Sequence, residues 1–333
     1  MKYHALINSL LLTAIGLTGQ AVAASDTETD CGDKYLTAIE LIGPISNSAT
    51  PAQTPVAYRV WHQGQTRLLI NAGPGSANSL LRSGMTNIDF DAIVFTQLRL
   101  EQTADLPQLI NAARNQGRKM PLAIYGPVGS KFMSSTVSLV RSLFDQKRGS
   151  YRYLGEVLTP LGNNGYKLRA FDVNSRKNVR LVKNTKRIKG IATVYNKNGL
   201  SVTAVNTGDK HSPSLAIRIN TKEAGMTIIN ATAQDNNALE ALAKGSRYLM
   251  AHMGHRADNK DQNMLTASDT GRLAYRAQSH QLTISYQKPA DSARQARDMA
   301  VIKNKYAGLV GFSQNGQCLP LAEKPATEQK GLP

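Results

Sequence analysis

Asp89-Phe-Asp-Ala-Ile-Val-Phe-Thr96 is followed directly by Gln97-Leu-Arg-Leu-Glu-Gln102. The first run is short and apolar and reads as a buried strand; the second is polar and reads as the loop that leaves it. Upstream, Leu68-Leu-Ile-Asn-Ala-Gly-Pro-Gly75 gives another strand that ends in a sharp turn, with a short helix expected over residues 76–83. Downstream, residues 104–116 are amphipathic, with Gly117 as a C-cap, and Pro121-Leu-Ala-Ile-Tyr-Gly-Pro127 is a further strand before a helix expected over residues 131–144.

The alternation continues outward in both directions. Residues 35–42 form a strand, and residues 56–61 and 66–70 a hairpin around Gln63-Gly64. Between residues 150 and 230 the period becomes two, with strands at 180–183, 200–205, 214–219 and 226–229. Helices follow at 238–244, 268–278 and 292–306, and strands at 248–250 and 281–286. Nothing in the 333 residues resembles a linker, a low-complexity tract or a short repeat, so residues 35–322 read as one α/β domain with two mixed sheets.

Composition narrows the class. Hydrophobic residues are 41% and charged residues 19%, which excludes a disordered, collagenous or coiled-coil chain. Lys and Arg number 40 against 23 Asp and Glu, a net charge of +17 that attracts polyanions or an anionic membrane face. Lys2, the apolar run to Leu17 and Ala21-Val-Ala23 have the form of a cleavable signal peptide over residues 1–23, with cleavage before Ala24. Residues 24–34 are then a polar N-terminal segment and 323–333 a tail, and the expected location is periplasmic or secreted, with no transmembrane anchor. In an oxidising compartment Cys31 and Cys318 are expected to pair and tie the two ends of the domain together.

The stretches at 68–75, 89–96 and 104–107 together resemble the metallo-β-lactamase fold, in its branch of ribonuclease Z-like and exported metallohydrolases. The resemblance extends through 121–127, 200–218, 236–245 and 307–321. It implies a four-layer αββα sandwich of two mixed β-sheets flanked by helices, with the active site along one edge. In that branch the strand like 91–96 is followed by His-x-His-x-Asp-His, which gathers two zinc ions.

Here Gln97, Arg99, Glu101 and Gln102 stand in that place. An arginine has no lone pair to give a metal, and glutamine offers only a weak carbonyl oxygen. Alignment with the family places its later ligands at Gly208, Ala231 and Tyr286. A relocated site would draw on Asp209, His211, His252, His255 and Asp258, with Lys210 and Arg256 as unfavourable neighbours. These five read rather as solvent-exposed loop residues, and His62 and His280 as ordinary surface residues. There is no Gly-x-Ser-x-Gly elbow, no phosphate-binding loop and no paired-thiol motif.

The resulting expectation is an exported pseudoenzyme, a non-catalytic binding or interaction protein, with no catalytic residue and no cofactor. Arg99, Gln97 and Tyr286 would line its cleft, with Arg99 either paired to Glu101 or Asp105 or receiving an anionic ligand. One alternative is a hydrolase of ester, phosphodiester or sulfate bonds with zinc in a relocated site. The other is a polyanion-binding surface protein, whose partner would be a cell-envelope glycan, a lipid headgroup or nucleic acid. Its basic stretch is residues 167–189, with Tyr151, Tyr153 and Tyr166 nearby as stacking groups.

Overall fold

The apolar run at 92–95 is the middle of a sheet, and the helices on either side of it in sequence pack on one face of that sheet. The computed structural model describes residues 31–43, 55–83, 85, 88–160, 165–175, 190–230, 237–254, 265–286 and 290–325. The signal-peptide reading, residues 176–189 of the basic stretch, Ala231, His255, Asp258 and residues 326–333 lie outside the described residues.

The first sheet is built from β1 (Tyr35–Ile42), β2 (Ala57–His62), β3 (Gln65–Ile70), β4 (Ala92–Val94), β5 (Leu122–Pro127) and β6 (Leu168–Val173). The second takes β7 (Ala192–Lys197), β8 (Leu200–Thr207), β9 (Ser214–Asn220), β10 (Gly225–Ile229), β11 (Tyr248–Met253), β12 (Gln281–Tyr286) and β13 (Leu309–Phe312). The last strand, β14 (Cys318–Glu323), crosses back to the first sheet and pairs antiparallel with β1. The strand orders are therefore β14-β1-β2-β3-β4-β5-β6 and β13-β12-β11-β10-β9-β8-β7, seven strands each. β3 to β6 and β10 to β13 are parallel, and the other neighbours are antiparallel.

Three apolar layers follow from the alternation of side chains along the strands. Ile39, Tyr58, Leu68, Val94, Ile217, Ile228 and Met250 meet between the sheets. On the outer face of the first sheet, Leu69, Ile93 and Phe95 pack on α2 (Ser76–Arg82), α4 (Leu106–Asn115) and α5 (Thr136–Phe144) through Leu80, Leu109 and Val140. On the outer face of the second, Leu249, Leu282 and Ile284 pack on α6 (Asn237–Ala243), α7 (Ala267–Arg276) and α8 (Ser292–Lys303) through Leu242, Leu273 and Ile302. The architecture is the αββα sandwich that the resemblance implied.

Three local features differ from the sequence reading or complete it. The helix expected from residue 131 begins at Thr136, because Ser130 Oγ accepts the N–H groups of Phe132 and Met133 and Ser135 caps the helix through Ser138 N. β6, β7, β13 and β14 escaped the pattern; all four are edge strands, where alternation is weak, and β6 carries exposed Arg169 followed by half-buried residues 170–172. Cys31 and Cys318 form the expected disulfide, with Cα atoms 5.9 Å apart. It holds the short helix α1 (Cys31–Lys34) against β1 and Trp61.

Candidate functional site

The C-terminal ends of β3, β4, β5 and β6 open on the same edge as the loop joining β8 to β9. Asn71 fixes the first part of this edge. Its φ is 61°, a left-handed conformation that asparagine tolerates, and its Oδ1 accepts both the N–H and the hydroxyl of buried Thr96, at 2.9 and 3.0 Å. Thr96 O then accepts Leu215 N at 2.8 Å, and Gln97 Nε2 lies 3.4 Å from Ser212 Oγ, so the loop after β4 is tied to the second sheet. Gly73 allows the next turn to close, since a Cβ there would lie 2.1 Å from Glu101 O.

The residues at which the sequence alignment expects the family's metal ligands hold other groups in other directions. Gln97 is buried against Ser212. Arg99 precedes the short helix α3 (Leu100–Thr103), and its side chain is 43% exposed, with Nε 3.8 Å from the 57%-exposed carboxylate of Glu101. Of the two expected arrangements the structure has the pairing with Glu101, and it is a surface pair. Asp105 is not its partner, because its Oδ2 accepts Ala77 N at 2.9 Å at the start of α2. Gln102 is buried, and its Oε1 has no hydrogen-bond partner among the described residues.

Gly208 has φ 75°, and a Cβ there would stand 2.2 Å from Ser212 O, so the tight β8–β9 turn excludes a histidine side chain. Tyr286 does not line the edge. It faces the helices, with Arg294 over its ring at 4.9 Å and Phe312 at 6.3 Å, and burial raises its hydroxyl pKa.

Of the candidates for a relocated site, the described ones, Asp209, His211 and His252, are not brought together either. Among the described residues no three His, Cys, Asp or Glu side chains lie where they could hold a metal ion. Asp209 Oδ1 accepts the N–H groups of His211 and Ser212 at 2.8 and 3.0 Å. His211 is exposed and stacks flat on Phe132, with centroids 4.2 Å apart.

His252, expected in a solvent-exposed loop, is instead on β11 and wholly buried between the sheets. Its Nε2 is 2.8 Å from Tyr58 Oη, and its Nδ1 bonds Ser285 Oγ. Burial drives its pKa down to about 4, so the ring is neutral at pH 7, and raises that of Tyr58. His62 is also buried rather than on the surface, between Thr37 Oγ1 at 2.7 Å and Asn198 O at 2.8 Å.

The open space on this edge lies beside the aligned positions. A cleft of about 360 Å³ is lined by Ser130, Asn174, Asn206, Thr207, Asp209 and Lys210 with their neighbours. Asn206 is committed to scaffolding, holding Ser175 N and Oγ through Oδ1 and Val173 O through Nδ2. Lys210 is exposed and in no ion pair among the described residues. Two residues after Ser130 and one after Lys210 in sequence, 53%-exposed Phe132 and His211 stack on each other as a flat aromatic pair. Of these residues sequence reasoning had weighed only Gly208, Asp209 and His211 as site candidates and noted Lys210 as an unfavourable neighbour; an unpaired phenylalanine in the serine-rich loop 129–135 was the available signal for the rest.

No protein-family profile matches the chain. A stretch of 89 residues is 35% identical to a ribonuclease Z from Clostridium kluyveri, covering 27% of this chain and 29% of that protein. The whole-chain comparison decides the fold. A metallo-β-lactamase fold protein, YhfI from Bacillus subtilis, superposes with a TM-score of 0.57 over 85% of this chain and 98% of its own, at 14% identity. The chain has the metallo-β-lactamase fold. Within that fold, the short form of human tRNase Z superposes at 0.55 with 14% identity, over 85% of this chain and 98% of its own. A long-form RNase Z from yeast superposes at 0.54 with 9% identity, over 87% and 42%.

The expectation of no cofactor is overturned by the likeness to these metallo-β-lactamase-fold proteins and to ribonuclease Z. The described residues do not fit zinc as a set. An exposed guanidinium, two buried amides and a glycine that admits no side chain do not make the nitrogen and carboxylate cage that zinc takes.

Proposed function

We propose that this metallo-β-lactamase-fold chain is a binding protein that holds a small anion carrying a ring in the cleft beside the family's metal positions. The observation that carries the reading is the cleft itself. Lys210 offers a cation to an acid group, and the Phe132–His211 pair beside the cleft offers a flat aromatic surface to a sugar or heterocyclic ring. The donor chemistry at Gln97, Arg99, Gln102 and Gly208 supports binding over hydrolysis, because none of these groups activates water as a zinc-bound hydroxide does. Export through residues 1–23 is part of the same proposal, supported by the signal-like pattern.

The test is a calorimetric titration of the full chain with glucose 6-phosphate and with AMP, using glucose, adenosine and inorganic phosphate as halves. A ring-bearing phosphate is expected to bind at least about tenfold more tightly than either half, the scale of one stacked ring. Phe132→Ser should remove the contribution of the ring and Lys210→Gln that of the phosphate. Turnover of an aryl phosphodiester in proportion to bound zinc would replace this reading with that of a hydrolase.

A further inference from the structure

On the outer side of the first sheet, away from the cleft, the chain leaves α5 through a compact turn that carries much charge. Asp145 accepts the N–H groups of Lys147 and Arg148 at 2.9 and 2.8 Å, and Ser150 N and Tyr151 N return to Ser142 O and Leu143 O on the last turn of α5. The turn is thus held by backbone bonds, and its side chains are left outside. Arg141, Gln146, Lys147, Arg148, Tyr151, Arg152 and Tyr153 are all exposed.

Arg141, Lys147, Arg148 and Arg152 have no ion-pair partner among the described residues. Of the nearest acids in sequence, Glu156 is taken by Arg114, and the Asp145 carboxylate, which accepts the turn's own N–H groups, offsets only part of the charge of Lys147 and Arg148. Among these cations stand two tyrosines. Tyr151 rests 6.4 Å from Phe144, and Tyr153, 66% exposed, meets it edge-on at 82°.

We infer that this face, from Arg141 to Tyr153, docks the protein on an anionic phospholipid surface. Four exposed cations against one local carboxylate, set around amphipathic rings, match a bilayer, where Lys and Arg engage headgroups and tyrosine sits at the polar–apolar boundary. A threaded polynucleotide fits less well. The two rings are perpendicular and offer no pair of parallel platforms to successive bases, and neither described cavity includes a residue of this face. The inference is independent of what fills the cleft.

The test is co-sedimentation of the full chain with vesicles of phosphatidylcholine alone and of equal parts phosphatidylcholine and phosphatidylglycerol. Binding is expected only to the anionic vesicles and should fall steeply between about 0.05 and 0.5 M salt. Lys147→Gln, Arg148→Gln and Arg152→Gln together should weaken it about a hundredfold, at roughly fivefold for each cation near such a surface. Tyr153→Ser should weaken it without changing the salt slope. The same charge removal at exposed Lys222, Lys303 and Lys305 should cost less than about threefold. Each variant must retain the thermal transition of the parent protein. Equal losses in the two triple variants, binding to neutral vesicles, or binding to a single-stranded oligonucleotide but not to vesicles would overturn the proposal.

Discussion

Tyr58 and His252, from opposite sheets and 194 residues apart in sequence, share a hydrogen bond of 2.8 Å in the buried interior of the sandwich. Ser285 holds the other ring nitrogen, so the imidazole is fully partnered while uncharged. The ring therefore cannot be protonated without introducing a charge between the sheets.

Stability should follow that protonation. The folded pKa of His252, about 4, lies below the unfolded value of about 6.5, so the unfolded chain binds the proton more readily. The contribution is complete above about pH 6.5 and declines as pH falls towards 4, by about 3 kcal/mol in all. Chemical denaturation at pH 7, 5.5 and 4.5 should show this decline. In His252→Leu the slope should be flatter over the same interval, and an unchanged slope would refute the assignment.

Removing the other side of the bond is a separate measurement. Tyr58→Phe keeps the ring and leaves the imidazole one partner short, so the free energy of unfolding at pH 7 should drop by about 1–3 kcal/mol. A loss within experimental error would mean that the hydroxyl contributes nothing to joining the sheets.

Reduction of Cys31–Cys318 opens a loop with a sequence separation of 287 and should lower the melting temperature, the bond contributing about 2–5 kcal/mol. Trp61 provides a local readout, being the chain's one tryptophan and packed against Cys31. Its fluorescence should rise when the neighbouring disulfide, a quencher, is reduced. Free alkylation of both cysteines in protein isolated under oxidising conditions would contradict the pairing.

Gly208→His restores a family ligand in name only. With φ at 75° and Ser212 O 2.2 Å from the new Cβ, the substitution should destabilise the fold by at least about 1–3 kcal/mol and add no bound zinc. Tighter zinc binding with unchanged stability would show that the β8–β9 turn is adaptable.

Arg99→Met should be nearly silent. Both members of the Arg99–Glu101 pair are largely in solvent, and such pairs contribute about 0–1 kcal/mol. A loss above about 2 kcal/mol would mean a buried ion pair instead.

The strands and their sandwich were legible because apolar periodicity records burial, and residues 68–70 and 92–95, with Leu122 and Ile124, are buried as their pattern required. The site was less legible, because a side chain's direction depends on strand length and pairing. The strand expected to stop at residue 250 runs on to Met253, which carries His252 inside. The direction of Tyr286 was readable in retrospect. Leu282, Ile284 and Tyr286 alternate with Thr283 and Ser285, which puts the tyrosine on the apolar face with the helices. Phe132 and His211, 79 positions apart by number, meet only because two loops share one edge, and no local pattern reports that.

The return of β14 to the first sheet has a consequence for synthesis. As the chain leaves the ribosome, β1 is among the first strands to emerge, and its outer neighbour is among the last. Throughout that interval the Ala38 and Leu41 strand presents an unpaired rim, and an open rim of this kind recruits other chains. The nascent protein should therefore depend on a holding factor, or on fast completion, until residues 318–323 arrive, and stalling translation just before them should yield aggregates rather than a folded first half.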